Sequence, residues 1–235
     1  MAWTDAELRT YEEGLAGYYR LRAVHYDAQF QIGAHPIRES WAELAAAMRE
    51  ALAGRAVMEL ACGTGHFTGF AAEAAAHVTA TDLADEMLQV ARGKIFPRGN
   101  VAFRTADAFV LEALPGSFDA ALAVQWFSHL PRARYAAFLG GLNRRLGTGA
   151  RVFLADGGHD AARTPADSPG RAPYLKPGCE DVYTLRTVPG AARPFEIIKN
   201  HFRTEEELRA VFAPYGRDLE ARIGRHFWHV SYLTV

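Results

Sequence analysis

The chain has 235 residues, 49% of them apolar and 23% charged, and a formal net charge of −1. This suffices for one large domain with a well-buried core, is too near neutral to suggest a duplex nucleic-acid binder, and contains no apolar run near the ~20 residues of a membrane span. Two cysteines, Cys62 and Cys179, are too few for a disulfide scaffold, and the first residues lack a basic-then-apolar leader, so a cytoplasmic location is expected.

Thr4 and Glu7 form a capping-box pattern that opens a helix. That helix carries Tyr18, Tyr19, Arg22, Tyr26 and Asp27. A second helix is predicted over about 38–52, closed by Gly54. Short apolar strands then alternate with helices: strands at 57–60, 78–81, 101–105, 118–124 and 152–155, helices through 76, through 91 and over 132–146. Such alternation predicts an α/β fold with a parallel sheet covered on both faces. From 157 to 178 the chain turns rich in Gly, Pro, Asp and Ser. Segments 183–188 and 195–199 flank Pro189-Gly190 and read as a hairpin. Thr204 caps a last helix to about 212, and strands at 219–223 and 227–235 close the chain. One domain is expected, with an N-terminal helical cap (1–54), a core (55–156), an insertion over the site (157–202) and a closing unit (203–235). No His-Glu-x-x-His or Cys-x-x-Cys spacing occurs, so no metal site is expected. His226 and His229, three apart in a predicted strand, should face opposite ways.

The most informative segment runs Val57-Met58-Glu59-Leu60-Ala61-Cys62-Gly63-Thr64-Gly65. A strand enters a tight glycine turn and then a helix, and glycines there let backbone groups approach a ligand closely. The next strand ends in Asp82, a usual place for a carboxylate that grips ribose hydroxyls. A dinucleotide fold shares this layout, but its third glycine would fall at Thr68, and Glu59 would set a negative charge against a pyrophosphate. An NAD(P)-dependent oxidoreductase and a noncatalytic cofactor-binding module are the competing readings.

The segment Glu59–Gly65 resembles the first motif of the class I S-adenosylmethionine-dependent methyltransferases. Asp82-Leu83 through Met87 is similar to their second, Asp107-Ala108-Phe109 to their third, and Phe118 through Val124-Gln125-Trp126 to their fourth. The resemblance implies a Rossmann-like, mostly parallel seven-stranded sheet with helices on both faces and a lid after the fifth strand. It implies S-adenosylmethionine as cofactor and a small-molecule methyl acceptor, without nucleic acid or membrane, and is compatible with a homodimer. By this likeness Gly63 and Gly65 shape the turn, while Ala61 and Cys62 lie in it. Glu59 orients it or meets the ammonium. Asp82 takes the ribose, Leu83 and Met87 line the adenine with Asp107, Ala108 and Phe109 around it, Gln125 faces the methyl donor, and Tyr18 or Tyr26 closes over the cofactor.

Methyl transfer to a hydroxyl usually needs a general base. The search therefore falls on Gln125–Pro131, beyond the fourth strand. His129 is the candidate base, with capping or packing as its bland alternatives. Trp126 and Phe127 are candidate pocket walls. Tyr19, Trp126, Asp156 and Tyr183 are the expected substrate contacts, and His159, Tyr174, Glu196, Lys199 and His201 are further polar groups on the insertion.

Overall fold

The computed structural model describes residues 3–30, 37–158 and 173–235. Residues 159–172, which include His159 and the start of the predicted insertion, lie outside the described residues. The first helix, α1 (Asp5–Arg22), opens on the Thr4–Glu7 capping box and gives way to a 3-10 helix at Ala23–Phe30. The remaining elements, in chain order, are α2 (Ile37–Leu52), β1 (Ala56–Glu59), α3 (His66–Ala74), β2 (His77–Asp82), α4 (Asp85–Arg92), β3 (Val101–Thr105), β4 (Ala120–Val124), α5 (Tyr135–Leu146), β5 (Arg151–Gly157), β6 (Tyr174–Leu175), β7 (Val182–Arg186), β8 (Phe195–Ile198), α6 (Glu205–Phe212), β9 (Gly216–Ile223) and β10 (Phe227–Thr234).

Among the described residues the main sheet has seven strands in the order β3-β2-β1-β4-β5-β10-β9. The first five run parallel; β10 is antiparallel to both β5 and β9. Central strands of such a sheet are covered on both faces and read as continuous apolar runs. The run Ala120–Val124 is buried at every position. One face packs Leu130, Phe138, Phe212, Trp228 and Tyr232 in a core that α5 and α6 complete. The other packs Ile37, Leu44, Met48 and Leu52 of α2 with Phe67 and Ala71 of α3. β4 begins two residues later than the sequence predicts, and just before it the Asp119 carboxylate accepts the Ala56 backbone N–H at 2.7 Å.

A second, antiparallel sheet joins β6, β7 and β8, with Tyr183 opposite Ile198. Its β7–β8 hairpin answers the sequence pattern; the two-residue β6 is too short to leave one. This sheet packs on α1 through Val188, Ile197 and Phe195.

Trp228 on β10 has no exposed surface and meets the rings of Phe127, Phe202 and Phe212. Trp228→Ala should lower stability by about 3–5 kcal/mol, seen as an earlier midpoint in urea unfolding. A loss below about 1 kcal/mol would mean that the surrounding rings collapse into the space.

Candidate active site

The β1–α3 turn owes its shape to three alternate tight positions. Ala61, Gly63 and Gly65 all have positive φ, at 49°, 56° and 76°. A Cβ on Gly63 would meet nothing within 4 Å, so this backbone faces open space. At Gly65 a Cβ would lie 3.2 Å from that of Ala91, so glycine there lets α3 approach α4. The turn is tied to the next strand: Cys62 N–H donates to Thr81 O at 2.8 Å, and Gly63 N–H to Asp82 Oδ2 at 2.8 Å. Asp82 Oδ1 accepts the Ala84 N–H at 2.9 Å. Burial raises the Asp82 carboxyl above its ordinary value, against the lowering effect of those backbone donors. The cap closes on the same turn, where the Asp27 carboxylate accepts the Thr64 hydroxyl and pairs with Lys94 Nζ at 2.6 Å.

A cavity of about 420 Å³ lies above this turn, within the range of small-molecule sites. It is lined by Ala61, Cys62, Gly63, Asp82, Leu83, Met87, Asp107, Ala108, Phe109 and Gln125 on the core side, and by Tyr19 and Tyr26 from the cap. It continues to Trp126, His129, Leu130 and Pro131 beyond β4. Asp107 braces its own loop by accepting the Phe109 N–H at 2.8 Å. Gln125 has φ 63°, and this turn releases the chain from β4 at the cavity. Burial pushes the Cys62 thiol up, so it stays protonated.

Several predicted contacts lie elsewhere. Tyr18 is buried beside Ile197 and takes the Arg22 guanidinium on its hydroxyl, because the neighbour on a helix faces away from a wall that Tyr19 occupies. Tyr183 is buried in the small sheet, near Cys179, and does not reach the cavity. Phe127 is a core ring with no exposed surface. Asp156 lies behind the wall and bonds inward to Lys199 Nζ at 2.8 Å, Ser128 N–H at 3.0 Å and Gly157 N–H at 2.7 Å. Burial alone would raise its carboxyl, yet Lys199 beside it holds it below the usual range. His201 Nδ1 meets Gly157 O at 3.1 Å, and Tyr174 and Lys176 both bond Glu196 on the small sheet. Gly65 and Glu59 act from beneath the turn. Glu59 is 1% exposed, its Oε2 has no hydrogen-bond partner, and burial pushes its carboxyl up to about 8, eased by Thr68 and reinforced by Asp82. Burial thus favours the neutral acid at Glu59, against the charge expected to repel a pyrophosphate.

His129 departs furthest from expectation. It lines the cavity, but neither nitrogen is free: Nδ1 lies 2.8 Å from Ile198 O and Nε2 2.7 Å from Tyr19 Oη. Burial first, then Lys199, lowers its pKa well below the usual imidazole range. That does not suit a base acting directly on an acceptor near neutral pH. The sequence reading missed Tyr11, Glu12 and Ala16, which line the cavity with Tyr19. Residues 12, 16 and 19 share a helix face, and this spacing was the available signal. It also missed Phe30 and His66, whose rings stack at 3.8 Å on the cap side of the cavity.

Residues 57–149 match the family model described as a methyltransferase domain. Over 123 residues the chain is 30% identical to the ubiquinone biosynthesis O-methyltransferase of Pseudomonas aeruginosa, covering 52% of this chain and 50% of that protein. Over 120 residues it is 35% identical to the malonyl-[acyl-carrier protein] O-methyltransferase of Pectobacterium atrosepticum, covering 47% and 43%. The chain thus spans about half the length of the curated relatives it matches. Among solved structures it resembles the DhpI–SAH complex at a TM-score of 0.70 and 28% identity, over 93% of this chain and 94% of that one. Residues 57–149 thus form a methyltransferase domain, and the chain resembles the class I S-adenosylmethionine-dependent methyltransferases. Its sheet order, glycine turn and Asp82 are those of a methyltransferase core. The residues present fit the family's cofactor: the turn is open where Gly63 lacks a side chain, and a carboxylate stands at the end of β2. No helix of the described residues is long and apolar enough to cross a membrane.

The buried Glu59 carboxyl makes stability depend on pH. Its folded pKa, about 8, exceeds the ordinary 4.5, so the folded state holds a proton that the unfolded chain loses between those values. Its contribution is full below the lower value and falls as pH rises to the upper one, by about 1.4 kcal/mol per pH unit. Thermal unfolding of the ligand-free protein should therefore show Glu59→Gln gaining stability relative to wild type between pH 5 and pH 8. A constant difference across that window would place Glu59 in its charged form.

Proposed function

We propose that this protein transfers a methyl group from S-adenosylmethionine to a nitrogen, oxygen or carbon of a small metabolite. The observation that carries this reading is a single cavity that joins Gly63 and Asp82 to Tyr19, Trp126 and His129. S-adenosylmethionine supplies a methyl group on a sulfonium, open to in-line displacement. Asp82 would accept the ribose hydroxyls, and the open Gly63 backbone would admit the methionine portion. Leu83, Met87, Asp107, Ala108 and Phe109 would frame the adenine. Tyr26 and Trp126 offer aromatic faces, which attract a cation.

The acceptor end is walled by α1 and by the residues after β4. Positioning is the main work asked of such a wall, since orientation alone can supply up to ~7–11 kcal/mol of a barrier. Tyr11 fixes α1 there: its hydroxyl donates to His129 O at 2.7 Å and accepts the Ile198 N–H at 3.2 Å. The enclosed volume supports a small acceptor. The O-methyltransferase relatives support oxygen as the attacked atom. A neighbour solved as a DhpI–SAM–HEP complex, TM-score 0.69, supports a site that takes a second molecule beside SAM. An oxidoreductase reading has no comparable support.

Calorimetry with S-adenosylhomocysteine tests the cofactor half. Wild type should bind it and leave NAD unbound. Asp82→Ala should weaken binding at least tenfold, from the loss of about 1.5–3 kcal/mol of hydrogen bonding to a charged group. Gly63→Arg should abolish binding while the fold is retained. Formation of S-adenosylhomocysteine from S-adenosylmethionine with a metabolite pool then tests turnover. Tight binding without turnover across the pool would favour the noncatalytic module.

A further inference from the structure

Tyr19 stands on the cavity wall where α1 passes His129, with ring centroids 5.7 Å apart and nearly perpendicular. Hydrogen positions at this contact follow from the neighbours. The Ile198 carbonyl can only accept, so His129 Nδ1, 2.8 Å away, carries a proton. Burial and the Lys199 cation both disfavour a second proton on the ring, while Asp156 opposes them less strongly. His129 is therefore neutral, and its Nε2 presents a bare lone pair to Tyr19 Oη at 2.7 Å. A phenol has one hydrogen, and here it points at the imidazole. Burial raises the Tyr19 phenol well above its ordinary value, so it does not ionise.

We propose that Tyr19 is a specificity-determining residue that selects acceptors bearing an N–H or O–H, because His129 holds the tyrosine's only hydrogen and leaves its oxygen able only to accept. This inference rests on the methyl-transfer reading and narrows it. A nucleophile with a hydrogen can donate it to Tyr19 and so be held in the cavity. A tertiary amine, an ether or a thioether offers nothing to that oxygen and leaves a buried acceptor unpaired, which sites of this kind discriminate against strongly. His129 is on this view a positioning residue. Its own orientation is fixed from β8 by Ile198, and from α1 by Tyr11, whose hydroxyl donates to His129 O.

Two measurements test this, and the first needs no ligand. Nitrogen-15 spectra of the free protein at pH 7 should show the His129 ring neutral, protonated on Nδ1 and bare on Nε2. Tyr19→Phe should shift the Nε2 resonance and leave the tautomer in place, since Ile198 still fixes Nδ1. A charged ring, or a proton on Nε2, would overturn the proposal. The second measurement uses phenol and its methyl ether, anisole, as probes titrated into protein saturated with S-adenosylhomocysteine. Phenol should bind at least about tenfold more tightly than anisole to wild type. In Tyr19→Phe the ratio should fall toward one, and in His129→Leu, which frees the tyrosine hydrogen to donate, anisole should gain. Equal binding of both probes to wild type would sink the specificity role. Failure to bind S-adenosylhomocysteine at all would strike the methyl-transfer reading instead, and the ring tautomer would still be decided by the first measurement.

Discussion

β1 is hydrogen-bonded to β2 on one side and to β4 on the other, all three parallel, and that placement opens the site. The chain leaves β1 toward α3 and β2, and leaves β4 toward α5 and β5, so the two connections part above the strand ends. Open α/β sheets bind ligands where the strand order reverses in this way. Every core residue on the cavity wall follows from it. The glycine turn rises from β1, Asp82 ends β2, Asp107 follows β3, and Gln125 and Trp126 follow β4. Removing bulk at Gly63 and bracing the turn from Asp82 are local answers to a vacancy that the strand order creates.

The half of the candidate site that the core strands supply was legible as a cavity wall because its parts are contiguous in sequence. Four strands end in short motifs, and strand order brings those ends together whatever the rest of the chain does. The acceptor half was not, because it depends on which way single side chains turn. Tyr18 and Tyr19 are adjacent, yet one packs on the small sheet and the other walls the cavity. Tyr183 and Asp156 sit near the right strand ends but point into packed surroundings. The contacts that fix His129 join it to Tyr11, 118 positions away, and to Ile198, 69 positions away, and no local pattern announces such pairings. Glu59 shows the same limit in charge: the residue type says anion, whereas its burial favours the neutral acid.

Behind the acceptor wall lies a second layer that the chemistry does not touch. Asp156 is fully buried, and Lys199 neutralises it while also donating to Ser128 Oγ at 2.6 Å. Asn200 extends the layer, with its N–H on Ser128 O and its amide on Leu130 O and Asp181. A buried pair of this kind adds little net stability over apolar packing, but breaking one partner is costly. Its effect is geometric: it registers β8 against the segment after β4, so that the Ile198 carbonyl meets the His129 ring.

α1 and the small sheet pack on each other beside the main sheet. The methyltransferase family model covers residues 57–149, and both α1 and β6–β8 fall outside it. Tyr11 ties these two outlying pieces to each other and to the core through one hydroxyl. Among the described residues the glycine turn and Asp82 make no hydrogen bond to either outlying piece, so the two parts of the cavity wall are held by separate contacts. A substitution on β7 or β8 can re-aim α1 and its row of Glu12, Ala16 and Tyr19 without disturbing the glycine turn. Diversification of substrate range in such a scaffold is a matter of exchanging the wall rather than rebuilding the engine.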